Sequence, residues 1–548
     1  MRIFSAFGLF AVVVYGGDVS GRYSGTISGN RPDGPAAEEP FAIVLVQRES
    51  KLDALAGSNL DRLEPLPDAS AEGGTIRLTA PFGGGIIFEL RIDGDRLTGT
   101  IRPKPGVGPQ PFQLVSLKRV GDLTLSDRVP RIPWESADRS PRLLAVRNEI
   151  ATNPGALTAF WTEVTKSGAP LIEPVGSGER SYLVTFLWRG APDTRSVLVM
   201  WPRKAQTRPD DWFMSRVDGA DLWFRTVKVQ RGTRIHYQIS PNDPWEVRPS
   251  GTWQRMAQAD PLNPKRDSED PKRPLTRVRS LLELPGALPQ PYYVKRADVG
   301  RLTMQEHTVR SDHLKGERKV RIYTPPGYSP TAPPYPSLYY TDGEDSDGYV
   351  FATWTVENLI ADKRIPPLVI VRIVNPNQPT RNRELACHSE FFSYVNDELV
   401  PYVRKNYNVS ADPKVTAFGG YSLGGLAAAF AGFTYPNTFG LALVQSGSFW
   451  YEPTRQDFAE PNWLARQFAA KPKLPLRFYM DAGVYELDLS GSGGGILIPS
   501  RQFRDVLTAK GYDLTYQEFV GDHDNINWRG TLADGLIALF GAKESAAR

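Results

Sequence analysis

The chain has 548 residues, 41% hydrophobic and 23% charged, with a formal net charge of +4. These values fit an ordinary globular protein with apolar material for several cores, and the length predicts about three domains. So small a surplus, dispersed along so long a chain, gives no argument for nucleic-acid binding. The single cysteine, Cys387, excludes intrachain disulfides and thiolate metal sites.

At the N-terminus Met1-Arg2 precedes an apolar run from Ile3 to Tyr15, followed by Gly16-Gly17-Asp18. One positive charge, a short apolar stretch and small residues predict an export signal over 1–17, hence a periplasmic or extracellular protein. The run is too short to span a bilayer. An apolar first strand of a cytoplasmic protein is the alternative.

Residues 18–119 read as a small antiparallel β-domain. Short strands are expected near Arg22–Ser28, Phe41–Gln47, Thr75–Thr79, Ile86–Ile92, Leu97–Ile101 and Phe112–Leu117. Asp93-Gly94 is a strong hairpin signal between two of them. A barrel or curled sheet is expected here, with no chemistry of its own.

Residues 120–290 open with a helical connector, in which 145–150 and 157–161 have helical spacing. Strands return at Ser181–Trp188, Ser196–Trp201, Leu222–Lys228 and Ile235–Ile239, and Lys265–Pro274 reads as a charged linker. From 291 to 548 strands and helices alternate, which argues for a mostly parallel sheet flanked by helices.

The chemistry concentrates in this last segment. Gly420-Tyr421-Ser422-Leu423-Gly424 is a G-x-S-x-G sequence. It follows an apolar run, Lys414–Phe418, and precedes a small-residue helical stretch, Gly425–Gly432. A serine on a sharp strand-to-helix turn is a nucleophile elbow, with its hydroxyl exposed above the sheet. A purely structural Gly-Ser turn is the bland alternative.

The partners should follow in the order serine, acid, histidine. Of the five histidines, His236, His307, His313, His388 and His523, only His523 follows both the serine and a strand-end carboxylate. It sits on a Gly-Asp loop after the strand Leu514–Phe519. Glu486, Asp488 and Asp481 are the candidate acids. Glu486 is favoured because it stands at G-x-x-acid after the strand Leu476–Asp481. Leu423 N–H, at the helix start, and Glu344 N–H, after the strand Pro336–Thr341 and Asp342-Gly343, are the candidate oxyanion donors. The Gly491–Gly495 stretch is a loop and not a phosphate cradle, since no Lys-Ser/Thr follows it.

These residues resemble the enterochelin esterases. Arg381-Asn382-Arg383-Glu384-Leu385, Gln445–Trp450, and Gly521-Asp522-His523-Asp524 with Trp528-Arg529-Gly530 carry the likeness downstream. Val184–Arg189 and Asp260-Pro261-Leu262-Asn263-Pro264 carry it upstream. It runs from about Ala156 to the C-terminus. The resemblance implies an α/β-hydrolase domain preceded by an immunoglobulin-like β-sandwich, with the small all-β domain as an addition. It implies a serine esterase cleaving a catecholate siderophore, with no cofactor and with any iron arriving as part of the substrate.

Ferric catecholates are anionic and aromatic. Arg381, Arg383 and Arg529 are therefore candidate charge partners, and Tyr421, Trp450 and Trp528 candidate stacking surfaces. Structural ion pairs and core packing are the competing roles. A feruloyl or acetyl esterase of plant polysaccharides is the rival function. A non-catalytic binding protein is disfavoured by the intact serine, acid and histidine order.

Overall fold

The computed structural model describes residues 19–542 except 32–33, 49–50, 61, 67, 81–85, 104–112, 122–138, 154, 177–179, 195, 202–212, 218, 244–245, 248–252, 255–256, 269, 271, 454–461 and 488–494. The apolar N-terminal run, the candidate acid Asp488 and most of the glycine stretch 491–495 lie outside the described residues.

The C-terminal half is built on an eight-stranded sheet. Its strands are β1 (Thr303–Ser311), β2 (Gly316–Thr324), β3 (Ser337–Tyr340), β4 (Val369–Ile373), β5 (Thr416–Tyr421), β6 (Leu441–Gln445), β7 (Arg477–Gly483) and β8 (Asp513–Phe519). Their spatial order is β1-β2-β4-β3-β5-β6-β7-β8. β1 and β2 pair antiparallel, and so do β2 and β4; every pair from β4 onward is parallel. This is the sheet of an α/β-hydrolase.

Side chains alternate between two buried faces, as parallel strands covered by helices on both sides require. Phe418, Ala442, Val444, Phe478 and Met480 belong to one core. Ala417, Leu441, Leu443 and Tyr479 belong to the other, with Leu532, Leu536 and Leu539 of the helix Asn525–Phe540. Each fully buried Leu or Phe contributes about 2 kcal/mol, so the strands read as continuous apolar runs for an energetic reason.

The N-terminal region is β-rich. Nine strands between Gly21 and Gly121 form one antiparallel sheet, in which the first strand, Gly21–Arg31, pairs both with Gly34–Arg48 and with the last, Gln113–Gly121. The Asp93-Gly94 hairpin joins Ile86–Asp93 to Arg96–Pro103, with Gly94 at φ +59°. Three strands, Lys51–Asn59, Arg62–Leu66 and Asp68–Glu72, are absent from the sequence reading. They are rich in Ala, Asp, Glu, Gly and Pro, residues of low strand preference, and are strands because their neighbours pair with them.

Two helices follow, Pro141–Thr152 and Ala156–Ser167. Smaller sheets of four and three strands come next, led by Ser181–Arg189 and Val197–Met200. The chain divides into two compact units. Residues up to 171, with 184–227 and 237–280, form one; 172–183, 228–236 and 281–548 form the other. The segment 228–236 therefore belongs to the unit of the eight-stranded sheet, although both its sequence neighbours belong to the first. Among the described residues no helix is long and apolar enough to cross a membrane.

Candidate active site

β5 ends at Tyr421 and the helix Leu423–Thr434 begins two residues later, leaving Ser422 alone on the turn. Its backbone sits at φ +57°, ψ −121°, a conformation that costs a non-glycine residue about 1–3 kcal/mol. The surroundings hold it there. Ser422 N–H donates to Gln445 O at 2.9 Å, and Ser422 O accepts from Ser448 N–H at 3.0 Å. Gly420 and Gly424 are required because a Cβ on either would overlap Thr341 Oγ1.

The hydroxyl of Ser422 lies 3.0 Å from His523 Nε2. His523 Nδ1 lies 2.7 Å from Glu486 Oε1. An ionised carboxylate only accepts, so Nδ1 carries the proton and Nε2 accepts from Ser422. Glu486 is fully buried, and its other oxygen accepts from Gly483 N–H at 2.7 Å. Its carbonyl accepts from Ile496 and Leu497 N–H, at the start of the helix Leu497–Ala509. The acid is thus fixed at side chain and backbone alike. Asp481 is placed elsewhere: it is buried in β7 and accepts from Ser446 N–H at 2.9 Å. Burial pushes its carboxyl up to about 7.

Leu423 opens its helix, so its N–H has no carbonyl within the helix to bond and is available to an oxyanion. The second candidate loop, 342–345, is clamped by two arginines. Arg372, itself buried, donates to Asp342 O at 2.9 Å and to Asp345 O at 3.2 Å. Arg321 donates to Gly343 O at 2.6 Å. The Glu344 carboxylate accepts from Asn375 N–H at 2.8 Å.

The aromatic and cationic candidates divide. Tyr421 stacks on Trp528 (centroids 4.8 Å apart, 22°) and donates to Asp345 Oδ2 at 2.7 Å. Trp528 is buried and donates from Nε1 to Ser446 Oγ at 2.8 Å. Arg381 is buried and forms a two-pronged ion pair with Asp342. Trp528 and Arg381 thus build the wall of the site, because burial and fixed partners occupy their polar groups. Trp450 is partly buried against Ala482, Ile496 and Leu497. Arg529 lies 4.2 Å over the Tyr293 ring and donates to Gln290, and burial lowers its pKa. Arg383 has a largely exposed side chain, 3.6 Å from a Glu384 already bonded to Arg318.

Sequence reasoning assigned no role to Ser448, whose hydroxyl lies 3.4 Å from that of Ser422. Only its place in the Gln445–Trp450 likeness marked it. Among the described residues no three His, Cys, Asp or Glu side chains gather to hold a metal ion.

A hydroxyl–imidazole–carboxylate chain beyond the ends of β5, β7 and β8 makes this the kind of site that attacks acyl carbon. The chain is a carboxylic ester hydrolase with the α/β-hydrolase fold. Residues 311–539 match the esterase family, and residues 183–293 match the family described as enterochelin esterase, N-terminal. The iron(III) enterobactin esterase of Dickeya dadantii (strain 3937) is 28% identical over 423 residues, covering 70% of this chain and 92% of that protein. The iron(III) salmochelin esterase of Escherichia coli O6:H1 is 27% identical, covering 73% and 98%. A crystal structure of the enterobactin esterase of Shigella flexneri, determined in the presence of enterobactin, matches with a TM-score of 0.53 at 27% identity, over 68% of this chain and 95% of that one. The chain thus carries both an enterochelin esterase N-terminal region and an esterase region, and it is similar to the enterobactin esterases over most of its length.

Proposed function

We propose that the protein is a serine esterase that hydrolyses the ester bonds of a ferric catecholate siderophore. Ser422 Oγ attacks an ester carbonyl carbon while its proton passes to His523 Nε2. Glu486 holds the imidazole in the required tautomer and stabilises the imidazolium. The tetrahedral oxyanion is received by Leu423 N–H and Glu344 N–H, each such donor being worth about 3 kcal/mol. Collapse breaks the ester C–O bond, and His523 returns the proton to the leaving oxygen. Water, deprotonated by the same imidazole, then cleaves the acyl-enzyme. The protein supplies no cofactor in this scheme; iron enters with the substrate.

The observation that carries the reaction is the pair of distances at His523, 3.0 Å to Ser422 and 2.7 Å to Glu486. The substrate rests on the relatives, which are esterases of iron(III) enterobactin and salmochelin, and on the N-terminal family match at 183–293. That match favours the siderophore over the feruloyl or acetyl sugar ester. Sheets of four and three strands across this region support reading it as the immunoglobulin-like sandwich of the family. A hydrolysis panel of a ferric tris-catecholate trilactone, a feruloyl sugar ester and an acetyl sugar ester tests the substrate. The trilactone should have the highest kcat/KM; a clear preference for either sugar ester overturns the assignment.

A further inference from the structure

The segment 228–236 reaches both loops that carry the imidazole and the acid. Arg234 N–H donates to Val520 O at 2.9 Å, and Asn527 Nδ2 donates to Arg234 O at 3.1 Å. These two bonds bracket His523 from either side in the sequence. His236 is buried, and its Nδ1 lies 2.9 Å from Asp524 Oδ1, on the residue next to His523. Asp524 also caps the helix Asn525–Phe540, accepting from Ile526 N–H at 3.0 Å. The carboxylate only accepts, so His236 donates from Nδ1. Its Nε2 has no hydrogen-bond partner among the described residues, so Asp524 alone orients the ring through a hydrogen bond.

The same segment grips the acid loop. Thr233 Oγ1 donates to Gln230 O at 2.7 Å and lies 3.0 Å from the hydroxyl of Tyr485, the residue before Glu486. With the threonine proton committed, Tyr485 is the donor to Thr233. The loops also touch directly, through Tyr485 N–H to Gly521 O at 3.0 Å. Segment 228–236 thus ties together two loops that leave different strands.

We infer that Thr233 and His236 are positioning residues for hydrolysis, holding Glu486 and His523 in register with Ser422. The inference rests on the Ser422–His523–Glu486 reading above. Both side chains are buried. A shift of about 1 Å at a reacting group can cost about a hundredfold in rate, so loosening either loop should appear in turnover and not in binding.

The test uses full-length protein and a small activated ester, with His236→Leu, His236→Asn, Tyr485→Phe and Ser422→Ala. His236→Leu and Tyr485→Phe should each lower kcat about tenfold or more, with KM held within about twofold. Asn places an amide donor where Nδ1 stood, so His236→Asn should recover kcat to within about threefold of wild type. Wild-type kcat in His236→Leu, or no recovery in His236→Asn, overturns the role of His236. Wild-type kcat in Tyr485→Phe overturns that of Thr233. A loss carried entirely by KM overturns both. If His236→Leu does not fold, His236→Asn with kcat more than about tenfold below wild type refutes the role of His236, and Tyr485→Phe, lacking one hydroxyl, still decides for Thr233. Full activity in Ser422→Ala would instead remove the triad reading; an inactive Ser422→Ala beside active loop variants would remove this inference alone.

Discussion

The indole of Trp528 stands edge-on to the imidazole of His523, with centroids 4.6 Å apart and an interplanar angle of 87°. The indole is held from behind by its Nε1 bond to Ser446 Oγ and from the side by the stacked ring of Tyr421. This buried ring, a candidate stacking surface in the sequence, packs directly against the imidazole. Trp528→Phe keeps an aromatic ring but loses the bond to Ser446. It should lower kcat several-fold on every ester, leave KM near wild type, and be read by steady-state kinetics on a small and a large substrate.

Glu486→Gln preserves shape and removes the charge that fixes the His523 tautomer. Turnover should fall by about three to four orders of magnitude, by analogy with other acid-to-amide changes in such triads. Asp488→Asn should stay close to wild type. Side-by-side kcat values decide it, and a larger loss in Asp488→Asn would move the acid to that position.

Asp481 offers a pH signature. Burial raises its carboxyl to about 7, well above the ordinary aspartate range. A raised acid binds its proton more tightly in the folded state, so its contribution to stability is complete below the unfolded pKa. That contribution is lost as pH climbs from about 4 through about 7. Asp481→Asn cannot ionise. Its Tm relative to wild type should therefore rise steadily between pH 4 and pH 8, followed by thermal denaturation; a difference that stays flat would show that Asp481 does not titrate in this range.

Much of this site was legible in the chain because its parts are local. The glycines of Gly420–Gly424, the apolar run before them and the small-residue helix after them are contiguous, and they form the turn the pattern demands. The G-x-x-acid spacing brought out Glu486 for the same reason, and the structure sets it 2.7 Å from His523. What the sequence hid was long-range. His236 meets Asp524 across 288 positions, and no periodicity announces such a pair. Arg381 looked like a substrate contact because its partner Asp342, 39 positions away, was read only as part of the candidate oxyanion loop. The strands 51–59, 62–66 and 68–72 were missed because pairing, and not composition, makes them strands.

Arg381 is paired with Asp342, so under the proposed function Arg383 and Arg529 are the cations left to meet an anionic substrate. Arg383 is the more exposed of the two. Arg383→Ala should weaken binding of the ferric siderophore more than that of a neutral ester. Wild-type affinity for the siderophore should also fall as salt is raised past physiological strength, where the screening length is about 8 Å. Titrations at two salt concentrations check both; equal losses for the charged and neutral ligands would make Arg383 structural.

The most direct measurement is turnover of a ferric tris-catecholate trilactone by purified wild-type protein and by Ser422→Ala, with the linear products quantified. The wild type should open the trilactone catalytically. The variant should keep its fold, by circular dichroism and melting temperature, and lose at least about four orders of magnitude in kcat. Undiminished turnover by Ser422→Ala, or a wild-type enzyme that leaves the trilactone intact, would contradict the account.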